Sequence, residues 1–353
     1  MAQRASTIAE LSCPVPLRAK NTVLLGHGSG GKLSAELIRD VFLPALDNSI
    51  LSRLDDQAIV RVNNQRLAFT TDSFVVKPLF FPGGDIGSLA VHGTINDLAM
   101  GGATPLFLSA AFIIEEGFSI DQLRRIAISM QQAASAASVQ IVTGDTKVVE
   151  KGKGDGLFIN TTGIGVVADD VELSADRARA GDKVLLSGSI GEHGIAILAQ
   201  REGIEFETTI ESDSAALHTL VKDMLHAASG IRCMRDPTRG GLSSTLNEIA
   251  AQSRVAMELE ERAIPVREEV ASACELLGLD PMYVANEGKL IAIVDSTNAD
   301  AVLKAMQQHP LGGQAQIIGT VKASSAPLVT MRTSLGTTRI VDMLSGDQLP
   351  RIC

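Results

Sequence analysis

Apolar residues repeat along the chain with two different periods, one typical of strands and one typical of helices. Leu33, Leu37 and Val41, with Ile38 and Phe42, recur at spacings of three and four, which predicts one amphipathic helix. Alternation of such segments is typical of an α/β or α+β fold. The first half is predicted to form strands over 22–25, 58–62, 67–76, 106–114, 139–142 and 157–167, and further helices over 85–99 and 120–137.

The second half repeats this rhythm more loosely after a polar turn at residues 178–182. A new strand is predicted directly after this turn, over 183–186, so we place a domain boundary here. The length of 353 residues is sufficient for two domains. Beyond the boundary the patterns predict helices near 191–201, 214–229, 241–252 and 298–308, and strands near 254–258, 289–294 and 315–320.

Charge and composition exclude several classes of function. The 31 Lys and Arg against 41 Asp and Glu give a net charge of −10, which argues against a nucleic-acid partner. Apolar runs such as 106–114 are much shorter than the ~20 residues of a membrane-spanning helix. Residues 1–20 lack the apolar block of a signal peptide. Four cysteines without close spacing predict a reduced, cytoplasmic protein.

A glycine-rich segment, GHGSGGK at residues 26–32, lies between a predicted strand and a predicted helix. It fits the pattern G-x-x-x-x-G-K, but Leu33 stands where a P-loop needs a Ser or Thr for Mg²⁺. We therefore predict a flexible loop whose backbone N–H groups cover phosphates, with a helix-capping turn as the alternative. The candidate phosphate-covering residues are Gly28, Ser29, Gly30 and Gly31.

Several Asp residues stand among apolar and small residues, where an unpaired carboxylate is costly. A single one would usually be a helix cap or a turn former. Several in one chain favour a shared Mg²⁺ site, since hard cations take carboxylate oxygens and bring nucleotide phosphates with them. The candidate metal ligands are Asp56, Asp72, Asp97, Asp145 and Asp236.

Two residues are candidates for proton transfer: Lys147 at the end of a strand and Glu287 just before another strand. In a confined site either group can shift its pKa and exchange a proton. In solvent either one is an ordinary ion-pair partner. We interpret the lone His92, one helical turn before Asn96, as structural. The run 150–155 (EKGKGD) we interpret as a solvated hairpin loop.

The chain ends in Cys353, preceded by Gly346 and Pro350, which do not favour a helix. A thiol on a mobile arm can travel between active sites like a tethered substrate. The alternative is an unpaired exposed thiol without a role. The nearby Arg351 modestly favours the thiolate.

Together, these motifs resemble the HypE family of hydrogenase maturation factors, a branch of the PurM-like (AIR synthetase) superfamily. The resemblance extends from Asn21 to Cys353, and the terminal PRIC sets this branch apart from selenophosphate synthetase and thiamin-monophosphate kinase. The motifs that carry it are GHGSGGK, LDDQA, TTDSFVVKPLFFPGGDIG, GTINDLAMGGATP, TGDTKVV, RDPTRGGL, ANEGKL and PRIC.

The resemblance implies a PurM-like two-domain α/β (α+β) fold. Residues 21–178 would bind ATP and dimerise by joining their sheets into a β-barrel, and residues 179–343 would form an α+β domain beside them. Residues 344–353 would form a flexible tail that ends in the acceptor Cys353. Residues 1–20 would be a mobile extension with no assigned function.

The resemblance also implies an activity, with ATP and Mg²⁺ as cofactors. A carbamoyl group placed on Cys353 by HypF would be phosphorylated on its amide oxygen and dehydrated to a thiocyanate, the source of the cyanide ligands of [NiFe]-hydrogenase. Lys147 or Glu287 would remove the N–H proton, and a HypC–HypD complex would receive the cyano group. The alternatives are a PurM-like enzyme of a small molecule and a nucleotide-responsive adaptor. The nucleotide-binding candidates are Gly28, Ser29, Gly30, Gly31, Asp72, Asn96, Asp97, Asp145 and Thr146.

Overall fold

Two mixed β-sheets organise the chain in its computed structural model, which describes residues 22–346, 349 and 351–353. In its described residues the first unit has four α-helices, of which the first two are joined by a π-helical turn at Ile38–Phe42. Its helices are α1 (Lys32–Leu37), α2 (Leu43–Leu46), α3 (Ile86–Met100) and α4 (Ile120–Ala136). Its strands are β1 (Ala58–Val62), β2 (Gln65–Phe74), β3 (Phe80–Phe81), β4 (Gly84–Asp85), β5 (Ala103–Glu115), β6 (Gln140–Val149) and β7 (Leu157–Val167).

The second unit alternates strands and helices less regularly. Its strands are β8 (Lys183–Leu186), β9 (Ile231–Arg235), β10 (Ala256–Glu260), β11 (Ile291–Val294), β12 (Gln316–Lys322), β13 (Leu328–Arg332) and β14 (Thr338–Ile340). Its helices are α5 (Glu192–Glu202), α6 (His218–Ala227), α7 (Gly241–Ser253), α8 (Glu268–Leu277) and α9 (Ala299–Gln308). Among all described helices, none is long and apolar enough to cross a membrane.

The first sheet has the strand order β1-β2-β7-β5-β6, and only its β5–β6 pair is parallel. Helix α3 packs on one face of this sheet. Asp85 caps α3 by accepting hydrogen bonds from Gly87 N at 2.7 Å and Ser88 N at 3.1 Å. The α3 side chains that are completely buried include Leu89 and Ile95, so this helix lies between the sheet and the second unit.

The second sheet has the strand order β14-β13-β10-β12-β8-β11-β9 and is covered on both faces. Alternate residues of β8 point in opposite directions, as the pleat requires. Leu186 packs with Leu246 of α7 on one side, and Leu185 packs with Met224 of α6 on the other. Met100 of α3 belongs to the same cluster as Leu185, so the two units share a core.

Several predicted elements need correction. Residues 22–25 form no strand, because the chain instead makes a 3₁₀ turn at Leu25–Gly28. Residues 150–155 do not close a hairpin, since β5 lies between β6 and β7 in the sheet. The sequence patterns also missed four described elements of the second unit: β9, α8, β13 and β14.

Candidate active site

Three carboxylates from three different elements meet where the two units adjoin. Asp56 precedes β1, Asp97 lies on α3 and Asp236 follows β9, and one oxygen of each lies within 4.8 Å of the others. Burial raises the pKa of all three, and the mutual repulsion of the carboxylates raises the pKa of Asp97 further. We refer to Asp56, Asp97 and Asp236 as the carboxylate cluster.

Arg235 supplies the positive charge that stabilises one side of this cluster. Its Nε lies 2.6 Å from Asp56 Oδ1, and its Nη2 donates to Glu248 Oε2 at 3.0 Å. The Thr70 hydroxyl lies 2.8 Å from Asp97 Oδ2 and 2.9 Å from the Asp56 carbonyl oxygen, and it donates to one of them. The buried Asp56 Oδ2 has no hydrogen-bond partner among the described residues. A cluster of oxygen ligands with an unpartnered buried oxygen fits a hard divalent cation such as Mg²⁺.

Asp72 and Glu287 extend this acidic region. Burial raises the pKa of Asp72, whereas attraction to Arg239 opposes this increase. Glu287 is 2 % exposed, and its Oε1 has no partner among the described residues. Burial is the main reason why its pKa lies well above the usual range, followed by repulsion from Asp236 and Asp72.

Asn96 positions the backbone that carries Glu287. Its Nδ2 donates to the carbonyl oxygens of Ala215 at 3.0 Å and Glu287 at 3.2 Å, and its Oδ1 accepts from Leu217 N at 2.8 Å. The Asn96 amide is therefore engaged with the backbone. One turn earlier, His92 Nδ1 lies 3.0 Å from Ser214 Oγ, and burial lowers the His92 pKa to about 4, as expected for a neutral structural histidine.

The C-terminal residues 351–353, which we call the terminal segment, lie in this region. Val75 N donates to Cys353 O at 2.9 Å, and Lys77 N donates to Arg351 O at 3.2 Å. His193 Nε2 donates to Ile352 O at 2.8 Å. Cys353 is partly buried, and this burial raises its pKa to about 12 against the attraction of Arg239. The thiol of Cys353 therefore lies among charged groups of the candidate site.

The glycine-rich loop (residues 26–32) packs against Arg239 and the start of the tail. Arg239 Nη1 donates to Gly28 O at 3.0 Å. The Ser29 hydroxyl lies 2.8 Å from both Gly26 O and Gly346 O, and it donates to one of them. Gly30 has φ +74°, and a Cβ there would lie 2.5 Å from Arg239 O. A Cβ at Gly31 would lie 2.2 Å from Leu344 O, so both close approaches require glycine.

Asp145, Thr146 and Lys147 lie apart from this site, on the exposed edge strand β6. Lys147 Nζ donates to Asp145 Oδ1 at 2.7 Å, and this contact lowers the pKa of Asp145. Across the sheet, Asp145 shares a row with Ser73, whereas Asp72 points to the opposite face. Within one chain, the structure thus brings together Asp72 and the carboxylate cluster with Glu287 and Cys353, but not the β6 residues.

Sequence analysis missed Arg235 and Arg239, which belong to the same RDPTRGG motif as Asp236. Arg239 interacts electrostatically with Cys353, Asp72 and Glu287, and each of these raises its pKa. The sequence did contain an indication of these two residues. Several buried carboxylates need a positive charge nearby, and a motif in which Asp stands between two Arg residues can supply it.

The chain matches two models of the AIR synthase related proteins, the N-terminal domain over residues 54–167 and the C-terminal domain over residues 179–331. It is 60 % identical to the carbamoyl dehydratase HypE of Azotobacter vinelandii over 332 residues, or 94 % of this chain and 97 % of the relative. A crystal structure of the hydrogenase maturation protein HypE in complex with ATP has TM-score 0.80 and 51 % identity, and covers 94 % of this chain and 100 % of its own. The crystal structure of a HypE–HypF complex has TM-score 0.83 and 49 % identity, and the match covers 87 % of this chain and 99 % of the chain in that structure.

Proposed function

The chain belongs to the HypE family of carbamoyl dehydratases, and we propose from this premise that Cys353 is its own substrate residue. The enzyme acts in hydrogenase maturation with ATP. In the proposed reaction, a carbamoyl group on the Cys353 sulfur loses water and becomes a thiocyanate. One observation carries this assignment: the terminal segment is held beside Arg239, Glu287 and Asp72, with Cys353 at its end.

The carboxylate cluster is the proposed site of Mg²⁺, with Asp72 beside it. When bound, Mg²⁺ would neutralise negative charge on the transferring phosphoryl group. The residues fit the ion because they offer carboxylate oxygens, one of them buried and unpartnered. Gly28, Ser29, Gly30 and Gly31 would cover the phosphates of ATP and exclude water from the activated intermediate.

The proposed chemistry has two steps. The amide oxygen of the thiocarbamate attacks the γ-phosphorus of ATP, ADP leaves, and one N–H proton passes to a base; the product is an S-bound iminophosphate. The C–O bond to the phosphate then breaks, the remaining N–H electrons form the C≡N bond, and that proton leaves with inorganic phosphate. Phosphorylation is needed because an amide oxygen is a poor leaving group.

Glu287 is the base that we propose for the first step. Its Oε1 has no partner among the described residues, and burial raises its pKa, which makes this carboxylate a stronger base than an exposed Glu. The electrostatic interaction between Glu287 and Cys353 supports this role for the carboxylate. Lys147 lies on the other face of the first sheet, so its contribution requires a second protomer.

We propose a homodimer formed through the open face and the edges of the first sheet. This face carries apolar side chains that are 39–46 % exposed. They are Phe69, Phe107, Ile113 and Ile164. Strands β1 and β6 are the two edge strands of the same sheet, and neither pairs with a further strand among the described residues. Such pairing would bury the apolar face and bring Asp145, Thr146 and Lys147 to the nucleotide site of the other protomer.

The proposed protein partners are HypF as donor of the carbamoyl group and a HypC–HypD complex as acceptor of the cyano group. A related HypE has been crystallised with HypF, which supports the first partner. The HypC–HypD complex is the acceptor that the family resemblance implies, and the chemistry itself requires only that the cyano group has an acceptor.

The test is the mass of the C-terminal peptide after incubation with active HypF, carbamoyl phosphate and ATP. We expect Cys353 to gain one carbamoyl group and then to lose one water only when Mg²⁺ and ATP are present. The Cys353→Ala variant is the control and should stay unmodified with its fold unchanged. If Cys353 remains unmodified while HypF is active, the chain acts instead on a small molecule, or as a nucleotide-responsive adaptor.

A further inference from the structure

The EKGKGD loop (residues 150–155) is an ordered element next to the terminal segment. The Glu115 carboxylate accepts hydrogen bonds from the backbone N–H groups of Gly152 and Gly156, the latter at 3.0 Å. These bonds lower the pKa of Glu115. Both glycines have positive φ, +80° and +81°, which any other residue adopts with difficulty. This arrangement holds the loop in one conformation, with Asp155 at its end.

Asp155 binds the side chain of Arg351, two residues before Cys353. Arg351 Nη1 pairs with Asp155 Oδ2, and Lys77 Nζ lies 2.9 Å from Asp155 Oδ1. The Asp155 side chain is 33 % exposed and that of Arg351 is 25 % exposed, so solvent screens this pair only in part. The sequence interpretation of residues 150–155 as a solvated loop gave Asp155 no role.

Arg351 is also held through its backbone and its Nε. Its Nε donates to Val75 O at 3.0 Å, and its carbonyl oxygen accepts from Lys77 N at 3.2 Å and Arg201 Nη2 at 2.8 Å. Arg351 has φ +54°, a left-handed conformation that is unfavourable for a residue with a Cβ. The docked segment thus depends on the Arg351 contacts to hold a turn that the free chain would not favour.

We propose that Asp155 is a positioning residue that draws Arg351, and with it Cys353, into the reaction site. This inference rests on the function proposed above, in which Cys353 is the substrate residue. The thiol must leave to receive its carbamoyl group and return to be dehydrated, so the contact with Asp155 favours the second half of the cycle. Lys77 keeps Asp155 paired when Arg351 departs, so the loop needs no rearrangement to accept it again.

The first test is the rate at which iodoacetamide alkylates Cys353 in the purified full chain, followed by peptide mass spectrometry. Asp155→Asn should raise this rate about tenfold, because a charge-assisted contact that holds the thiol in place is lost. High salt should raise the rate in the unchanged protein and have little effect on the variant. Cys233 and Cys274 are buried elsewhere and report on the integrity of the fold.

Glu150→Gln is the matched control, since it removes the same charge from an exposed position of the same loop. It should leave Cys353 alkylation unchanged, and Asp155→Glu should restore most of the protection. The proposal is overturned if Asp155→Asn alkylates at the wild-type rate, or if Glu150→Gln raises the rate equally.

The second test is single-turnover dehydration of the carbamoylated protein. Asp155→Asn should slow this step about tenfold while its carbamoylation by HypF proceeds at the wild-type rate or faster. Equal slowing of both steps would indicate a structural role and would refute positioning. The alkylation test needs no catalysis, so it still decides whether Asp155 holds the segment if the proposed function fails.

Discussion

Replacing Asp236 by Asn should stabilise the metal-free protein while impairing its reaction. Asp236 is 8 % exposed and lies in the carboxylate cluster. Burial, with a smaller contribution from Asp72, raises its pKa from 3.8 to about 6 despite the attraction of Arg235. The ionised carboxylate is therefore less favourable in the folded chain than in the unfolded one. Carboxylates arranged to bind a cation are expected to destabilise the fold in this way when the cation is absent.

The magnitude follows from the two pKa values. A rise from 3.8 to about 6 corresponds to about 3 kcal/mol of lost stability at any pH well above 6. Because the folded state binds this proton more tightly, the free energy of unfolding falls as the pH rises from about 4 to about 6. Because Asn carries no charge, it avoids this loss of stability. Asp236→Asn should therefore gain up to about 3 kcal/mol at pH 8 and about half of that at pH 5.

Urea unfolding in EDTA measures this gain, followed by circular dichroism because the sequence has no Trp. The control is Asp170→Asn at an exposed position, which should change stability by less than about 0.5 kcal/mol. Adding Mg²⁺ should stabilise the unchanged protein more than the variant. A variant that is less stable than the unchanged protein at pH 8, or a difference that does not vary with pH, would refute the reasoning.

Three further changes test other parts of the site. Glu287→Gln should slow single-turnover dehydration by about 10² to 10⁴ while Cys353 is still carbamoylated; dehydration near the wild-type rate would exclude Glu287 as the base. Gly30→Ala should raise the KM for ATP about tenfold, because its Cβ would lie 2.5 Å from Arg239 O at φ +74°. Gly313→Ala, outside the site and with open space at its Cβ, is the control and should have little effect, so equal effects would contradict this. Arg239→Met should slow dehydration at least tenfold through loss of the cation and of the hydrogen bond to Gly28 O, with partial recovery in Arg239→Lys; unchanged rates in both would remove Arg239 from the site.

Local patterns predicted most elements well, because strand and helix periodicity survives in the folded chain. Strands β7 and β8 have the predicted bounds, and α4 ends within one residue of its prediction. The strand predicted at 22–25 was wrong, since an apolar run next to glycines does not determine whether a partner strand exists. Residues 150–155 were misread because polar residues between two strands suggest a hairpin, whereas pairing with β5 is decided elsewhere in the chain.

The family motifs were equally informative. The predicted membership of the HypE family and its PurM-like fold are confirmed by relatives that cover nearly the whole chain. Motifs alone did not show which of the candidate site residues lie close together in the folded chain. Asp97 and Asp236 stand 139 positions apart and meet, whereas Asp145 and Asp72 lie on opposite faces of one sheet. Which of them share a site depends on strand register, and register depends on contacts between distant segments.

The α/β class, the alternation of elements, the family and the types of residue available for the chemistry could all be predicted from the amino-acid sequence. These depend on local periodicity and on residues that neighbour each other in the chain. The folded chain was needed to show that Arg235 neutralises Asp56, that Asn96 supports Glu287, and that Asp155 holds Arg351. Each of these is a contact between residues far apart in sequence, and its energy depends on burial and charge that exist only after the chain has folded.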